Sequence, residues 1–438
     1  MGTAGGAVVA MVVLAAAGAL PAATLVGVGW LTVPAAPLAG AVLAAASAAG
    51  CLAVGGPLLG WFVGLAVVAA VGTMAVWRRW PAACPLRRRR GVGDGRGGGR
   101  PAGHRAAGTA GAVVVLAATT WWLVALRAPT VGFDARTIWM LHGVWFLDGH
   151  RAALTALRSP AIPFAHASYP PLVGGSVAVS WLVTGDHGYR LGVVMVALLG
   201  ACALAAAAWV AVEVGRRIGA AVACTAGVVV AGLLVLAAAG VAGPFATNGY
   251  ADPLWASAAV GAVGFGLVLP GRGRDAGAAV LLLAVAGLTK DEGIVTAMAI
   301  VGLMALRGAR GSWAARPGVP PWRPLLAGTA GVLALAAWPV LVKLLGATAD
   351  VTVTGPRQGD DLSRAHQTAD AMAAHLHVLL LALPVAVVGG LLLRRARRRA
   401  GVGHDGWAWA ALAAGIAIVA AAYVTGGGDV AFWLATSV

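Results

Sequence analysis

Charged side chains are scarce in this chain: they make up 11% of its 438 residues, whereas 60% of the residues are apolar. A soluble domain usually carries about a quarter of its residues as Asp, Glu, Lys or Arg. The shortage excludes an ordinary soluble fold, which could not hide this much apolar surface. We expect an all-α polytopic membrane protein, because the apolar runs are long enough to cross about 30 Å of hydrocarbon as helices.

Cysteine and lysine are also scarce. Of the four cysteines, three fall in predicted spans and Cys84 falls in a predicted cytoplasmic loop, so we expect no extracytoplasmic disulfide. Lys290 and Lys343 are the two lysines among 31 basic residues. No basic segment precedes the first apolar run, which argues against a cleavable signal peptide.

Hydrophobic runs predict about twelve transmembrane helices joined by short polar breaks. The segment 171–184 is apolar but short, and we expect it to lie at the interface or to re-enter the membrane. The predicted spans are 8–30, 35–54, 57–77, 107–127, 189–212, 219–243, 253–270, 276–288, 294–306, 325–345, 376–393 and 406–424.

Arginine is concentrated in alternate loops, which orients the chain. Threading the spans in order places all of these loops on one side, and the positive-inside rule makes that side cytoplasmic. Most acidic residues fall on the opposite side. We therefore predict a multi-pass protein of the cell (plasma) membrane whose acidic loops lie on the extracytoplasmic face. The arginine-rich loops are 78–106, 216–217, 272–274, 307–323 and 394–399.

The basic loop divides the chain into three predicted regions. Residues 1–77 form an N-terminal transmembrane module of about three spans, residues 78–106 form the linker, and residues 107–438 form the catalytic domain. The linker sequence RRRRGVGDGRGGGR lacks the strand and helix that a phosphate-binding loop requires. We expect it to be a flexible segment facing membrane lipid, and we expect no nucleic-acid partner.

The longest polar segment runs from Phe133 to Pro171 on the predicted outer face and begins FDARTIWMLHG. Arg136, Trp139 and His142 recur every three residues, so a helix would present them on one face. Asp134 is then either the N-cap of an interfacial helix anchored by its tryptophans or a base that meets a lipid-borne substrate.

A second polar island, TNGYADP, precedes the predicted span 253–270. Gly249 permits a tight turn and Pro253 suits the first turn of a helix. Asp252 is therefore either a helix cap or part of a ligand site.

The third island, Lys290-Asp291-Glu292, interrupts the apolar run 276–306, whose flanking loops are both basic. Since both flanks are predicted to be cytoplasmic, the run must go out and return, and each arm of about 13 residues reaches only about 20 Å. The charges are then recessed below the outer surface, where they either line a polar cavity or form a structural Lys-Asp pair.

The order of FDARTIWMLHG, SYPPL, NGYADP and LTKDEG on one side of the membrane resembles the GT-C superfamily of integral-membrane glycosyltransferases, which use polyprenyl-phosphate sugars. Its members include the protein mannosyltransferases and the lipid A aminoarabinose transferases. The resemblance covers residues 107–438 and implies a GT-C-like fold with a helical outer-face loop. It places Asp134 at the essential acidic position of the first large outer loop.

The resemblance implies an inverting transfer of sugar from a polyprenyl-phosphate donor to a glycan, lipid or protein acceptor of the cell envelope. Asp134 would remove the proton of the acceptor hydroxyl as it attacks C1. A cation would stabilise the leaving phosphate, and the candidates in order of preference are Lys290, Arg136 and Arg190.

The other acidic and aromatic residues of the islands would bind substrate. Asp252, Asp291 and Glu292 would bind sugar hydroxyls or orient Lys290. A divalent metal ion, the one candidate cofactor, would use the carboxylates of Asp134, Asp252 and Glu292. The remaining candidate substrate-binding residues are Trp139, Tyr169 and Tyr250, with His142 and His166 as weaker ones.

Two other functions remain open on the sequence. A transporter or flippase of lipid or solute would use the recessed charges as a substrate or proton site, although the sequence contains no second copy of TKDEG. The other is an inactive envelope scaffold.

Overall fold

The computed structural model describes residues 2–79, 131–159, 161, 165–218, 247–269, 273–315 and 322–347, with the isolated residues 113, 117 and 366. Four predicted spans, at 107–127, 219–243, 376–393 and 406–424, lie outside these residues apart from those isolated positions. The predicted linker also lies outside them, except for its first two residues.

The described residues form helices and contain no strand. Two short segments, Ala135–Met140 and Gly264–Val268, are wound as π-helix. The α-helices are α1 (Thr3–Val26), α2 (Thr32–Val54), α3 (Leu58–Arg79), α4 (Leu141–Leu147), α5 (His150–Arg158), α6 (Leu172–Thr184), α7 (Tyr189–Ile218), α8 (Asp252–Val263), α9 (Arg274–Gly287), α10 (Asp291–Ala315) and α11 (Trp322–Leu344).

Six of these helices, α1, α2, α3, α7, α10 and α11, are long and apolar enough to cross a membrane. Their number and composition confirm the prediction of a helical fold and agree with that of a membrane protein. The helices α6 and α8 are shorter apolar elements. The total of twelve spans stays a prediction.

Glycines bring the backbones of the first two helices into contact. A Cβ added at Gly18 of α1 would collide with the carbonyl oxygen of Ala36, and one added at Gly40 of α2 would collide with that of Leu14. Both helices also pack on α6, α7 and α9, so their side chains share one hydrophobic core with the later helices. The division of the chain at residue 77 stays a prediction.

Helix α6 lies inside the protein. Residues 172–181 are all buried, because α1, α2, α4 and α7 enclose the helix. The predicted interfacial or re-entrant position of 171–184 in the membrane stays a prediction.

Helices α9 and α10 form a hairpin whose turn holds the third polar island. Helix α9 has 14 residues and is therefore about 21 Å long. This length agrees with the short first arm predicted for the run 276–306. The second arm is longer than predicted, because α10 has 25 residues and its alanines and arginines continue the helix past the apolar run. At the turn, a Cβ added at Gly293 would collide with the carbonyl oxygen of Ala286, which places the two helices in backbone contact.

Candidate functional site

Lys290 lies in the turn between α9 and α10 and forms ion pairs with two carboxylates. Its Nζ atom lies 3.1 Å from Oδ1 of Asp252 and 3.4 Å from Oε1 of Glu292. Only 12% of the Lys290 side chain is exposed. The shorter pair joins the start of α8 to the helical hairpin, so the second and third polar islands meet at one point.

The interpretation of Asp252 as a helix cap is wrong. Asp252 is the first residue of α8, the cap position belongs to Ala251, and no side chain caps this helix. The Asp252 carboxylate instead accepts hydrogen bonds from Nζ of Lys290 and, at 3.4 Å, from Nε1 of Trp255. Its role is therefore to link α8 with the hairpin.

Asp134 is also not a helix cap. It has helical backbone angles immediately before the π-helical segment, and its side chain makes no capping hydrogen bond. Burial raises the pKa of its carboxyl, the charge of Lys290 lowers that pKa, Asp252 raises it and His166 lowers it. Asp134 is thus within electrostatic reach of residues from three other segments, and the first polar island joins the other two.

Tyr250 connects Asp134 to the second island. Burial raises the pKa of the Tyr250 phenol, and the negative charges of Asp134 and Asp252 raise it further. A hydrogen bond with the backbone of Asp134 lowers this pKa. The backbone N–H of Gly132 donates to the carbonyl oxygen of Asn248 at 3.0 Å, and the N–H of Tyr250 donates to Oδ1 of Asn248 at 3.3 Å. These bonds fix the position of Asp134 relative to α8.

An aromatic cluster covers one side of the charged group. The ring of Tyr169 stacks with Trp139 at a centroid distance of 5.6 Å and with His166 at 4.6 Å. Nζ of Lys290 lies 6.0 Å from the centroid of Tyr169, within the range of a cation–π contact. Tyr169 therefore lies at the boundary between the aromatic and the charged groups.

His142 has a structural position. It is buried, and its Nε2 donates a hydrogen bond to the carbonyl oxygen of Ala165 at 2.8 Å. Its ring stacks on that of Trp145 at 4.6 Å. This contact holds the segment before Tyr169 in place, and the binding of substrate by His142 stays a prediction.

The two candidate arginines are exposed, unlike the Lys290 side chain, which is only 12% exposed. Arg136 is exposed, whereas Trp139 is only 1% exposed and His142 is buried, so the prediction of one shared face is wrong for Arg136. The physical reason is the π-helical winding of 135–140, which breaks the three-residue spacing of an α-helix. Arg190 is exposed in the first turn of α7.

The candidate metal ligands do not form a metal site. In the part of the chain that the structure describes, no three His, Cys, Asp or Glu side chains lie close enough to share a metal ion. The ammonium group of Lys290 binds an oxygen of Asp252 and one of Glu292. Asp134, Asp252 and Glu292 are therefore assigned no metal.

Two buried polar atoms of the site have no hydrogen-bond partner among the described residues: Nε1 of Trp139 and Oε2 of Glu292. A buried polar atom without a partner is unfavourable, so a donor and an acceptor remain available to a polar ligand. Asp291 precedes Glu292 in the first turn of α10.

Three positioning residues were not anticipated from the sequence. Asn248 and Gly132 hold Asp134 against the second island, and Nε1 of Trp338 in α11 donates to the carbonyl oxygen of Ser168 at 2.7 Å. The motif NGYADP signalled Asn248 in part, because asparagine before glycine is typical of a turn. Gly132 and Trp338 carried no sequence signal.

Gly249→Ala tests the packing of the second island against Ala135, the residue after Asp134, and against Val193 of α7. Gly249 has a φ of +91°, and an added Cβ would lie 2.9 Å from the Cβ of Ala135 and from a methyl group of Val193. We expect a lower melting temperature in detergent than for the control Gly185→Ala, whose φ is +68° but whose Cβ would meet open space. The extra packing cost should be about 1–3 kcal/mol, and equal melting temperatures would contradict this contact.

Comparison of the chain with protein-family models, with curated proteins and with solved structures finds no match. A proposal of function therefore depends on the geometry of the residues around Asp134 and Lys290.

Proposed function

We propose that this chain is a membrane glycosyltransferase that moves a sugar from a polyprenyl-phosphate donor to a cell-envelope acceptor on the extracytoplasmic face. The single observation that carries the proposal is the joining of Asp134, Asp252 and Lys290 into one half-buried group. These residues belong to three separate motifs of the GT-C resemblance. The GT-C-like fold, the twelve spans and the plasma-membrane location are part of the same proposal.

The reaction is a single displacement at C1 of the sugar. The acceptor oxygen forms a bond to C1 from the face opposite the lipid phosphate, and the bond from C1 to the phosphate oxygen breaks. The phosphate leaves with that electron pair, and the carboxylate of Asp134 takes the proton of the acceptor hydroxyl. The configuration at C1 is therefore inverted.

Lys290 stabilises the leaving group. Negative charge accumulates on the phosphate as the bond breaks, and a positive charge that is already fixed in place lowers the free energy of that transition state. The ion pairs with Asp252 and Glu292 fix the ammonium group in the absence of substrate.

Sugar recognition is assigned to the acceptors and rings around Lys290. Sugar hydroxyls are hydrogen-bond donors, and Oε2 of Glu292 is an acceptor with no partner in the described part of the chain. Asp252 and Asp291 supply further carboxylate oxygens at the starts of α8 and α10. The rings of Tyr169 and Trp139 offer apolar faces beside these acceptors.

A second candidate function is transport of a lipid or solute. The pair between Lys290 and Asp252 joins two helical elements, and a charged pair within an apolar helical protein is typical of a substrate or proton site. Such a protein would move its substrate across the membrane without changing a covalent bond.

Reconstituted vesicles distinguish the two functions. Purified protein in liposomes would be given polyprenyl-phosphate mannose labelled in the sugar, together with an extract of envelope glycolipids as acceptors. We expect the label to pass to the extract with inverted configuration at C1. Movement of intact donor between leaflets with no transfer would support the transporter, and transfer with retained configuration would contradict the single displacement.

A further inference from the structure

We propose that Tyr169 is a positioning residue that acts through Lys290, because its ring fixes the ammonium group that faces the leaving phosphate. This role rests on the proposed function, in which Lys290 stabilises that phosphate. It goes beyond the apolar face that the ring offers to a sugar. The contact between the ring and the ammonium group, and the contacts that hold the ring itself, support it.

Side chains of two chemical kinds hold the ammonium group of Lys290. Nζ lies 3.1 Å from Oδ1 of Asp252 and 3.4 Å from Oε1 of Glu292, and 6.0 Å from the centroid of the Tyr169 ring. An aromatic ring attracts a cation through its quadrupole but has no net charge. The ring of Tyr169 therefore helps to hold the ammonium group without cancelling its positive charge.

A neutral partner suits a cation that has to stabilise a phosphate. Two carboxylates already lie beside the one ammonium group, and a third acidic partner would add negative charge that repels the phosphate. Only 12% of the Lys290 side chain is exposed, and a cation–π contact is strongest where water is largely excluded. The ring thus adds to the fixing of the cation without weakening its attraction for the phosphate.

The ring of Tyr169 is itself held in place by separate elements. It stacks with Trp139 at an angle of 24° between the planes and with His166 at an angle of 14°. The backbone N–H of Tyr169 donates to the His166 carbonyl oxygen at 2.8 Å. The preceding residue, Ser168, accepts a hydrogen bond from Trp338 of α11 at 2.7 Å. A residue held through both its ring and its backbone supports a side chain beside it in a defined position.

A backbone hydrogen bond joins the segment of Tyr169 to the turn of Lys290. The N–H of Leu172, three residues after Tyr169, donates to the carbonyl oxygen of Leu288, two residues before Lys290, at 2.8 Å. Both residues between Tyr169 and Leu172 are prolines, whose rings fix the backbone angle φ. The connection therefore has little freedom, and it keeps the tyrosine ring beside the ammonium group.

Sugar transfer by two variants tests this role. Tyr169→Leu removes the ring, so the ammonium group loses one of its contacts and can move. We expect kcat with polyprenyl-phosphate mannose to fall by about tenfold, because small displacements at the reacting centre have effects of this size. The apparent KM for the acceptor should change little, since Lys290 acts on the leaving phosphate. Tyr169→Phe keeps the ring and should retain most of the wild-type kcat.

The lysine signals of the protein make the test independent of transfer activity. The chain contains two lysines, so protein with isotopically labelled lysine gives two ε-methylene signals in a nuclear magnetic resonance spectrum, and Lys343→Arg assigns them. Protons over an aromatic ring are shifted upfield, and we expect the Lys290 signal to lie upfield of the Lys343 signal. It should move towards the Lys343 signal in Tyr169→Leu and stay in place in Tyr169→Phe.

A stacked tyrosine outside the site supplies the matched control. Tyr189 stacks with Trp181 at a centroid distance of 6.1 Å, and Tyr189→Leu should leave both kcat and the Lys290 signal unchanged.

Three results would overturn the role of Tyr169. They are a wild-type Lys290 signal that is not upfield of the Lys343 signal, an unmoved Lys290 signal in Tyr169→Leu, and a loss of kcat in Tyr169→Phe as large as that in Tyr169→Leu. The first of these needs no variant that might fail to fold. Absence of transfer by a wild-type protein with the expected lysine signals would overturn only the glycosyltransferase assignment.

Discussion

Asp134→Asn is expected to reduce sugar transfer by about 10²–10⁴-fold, the usual contribution of a general base. The amide of asparagine is close in size to the carboxylate but cannot take the proton of the attacking hydroxyl. The measurement is kcat with polyprenyl-phosphate mannose and envelope acceptors, with the donor saturating. Because the proposed role of Asp134 is in the chemical step, the apparent KM for the donor should change little.

Loss of activity through unfolding is distinguishable, because the structure predicts the opposite effect on stability. The raised pKa of Asp134 means that ionising its carboxyl destabilises the folded protein as the pH rises through that pKa. Asparagine removes this cost. The variant should therefore melt at the same or a higher temperature than the wild type at neutral pH.

A matched control is Asp148→Asn, which replaces an exposed aspartate after α4 in the same polar segment. It should retain wild-type activity. Full activity of Asp134→Asn would remove Asp134 from the mechanism, and equal losses in both variants would show that the segment tolerates no change of charge.

Lys290→Met is expected to have the second largest effect. Loss of a fixed group that stabilises transition-state charge typically lowers kcat by about 10²–10³-fold. The substitution also leaves the carboxylates of Asp252 and Glu292 without their cation, which should lower the free energy of unfolding by about 1–3 kcal/mol. Both quantities are measurable on one preparation, by transfer kinetics and by thermal unfolding in detergent.

Lys290→Arg separates charge from geometry. It keeps the positive charge and should preserve much of the stability, but the planar guanidinium cannot reproduce the position of the ammonium group. We expect its kcat to lie between those of the wild type and Lys290→Met. Wild-type kcat in Lys290→Met would show that Lys290 only joins α8 to the hairpin.

The long apolar helices and the position of the hairpin turn depend on local sequence, and these features were predictable. Apolar length identified five of the six helices that are long enough to span a membrane, whereas α10 was predicted as a shorter arm; the charges of Lys290 to Glu292 located the hairpin turn. The extra length of α10 was missed because Arg307 and Arg310 were assigned to a cytoplasmic loop, although alanine and arginine also continue a helix.

The residues of the site were predictable, but most of their partners were not. The polar islands contain Asp134, Asp252 and Lys290, yet the ion pair between Asp252 and Lys290 spans 38 positions and depends on helix packing. The same limit applies to His142, whose burial follows from contact with a segment 23 residues later. Pairing across helices is a property of the tertiary structure and leaves no periodic signal.

The π-helical segment Ala135–Met140 makes the position of Asp134 sensitive to chain length. A π-helical turn contains more residues than an α-helical one, so deleting one residue from this segment could restore a regular α-helix. That deletion would rotate Asp134 by about 100° around the helix axis relative to Trp139 and α4. Asp134 would then be turned relative to Lys290 while the helix kept its hydrogen bonds, so a single lost codon would separate the proposed base from the proposed cation without unfolding the protein.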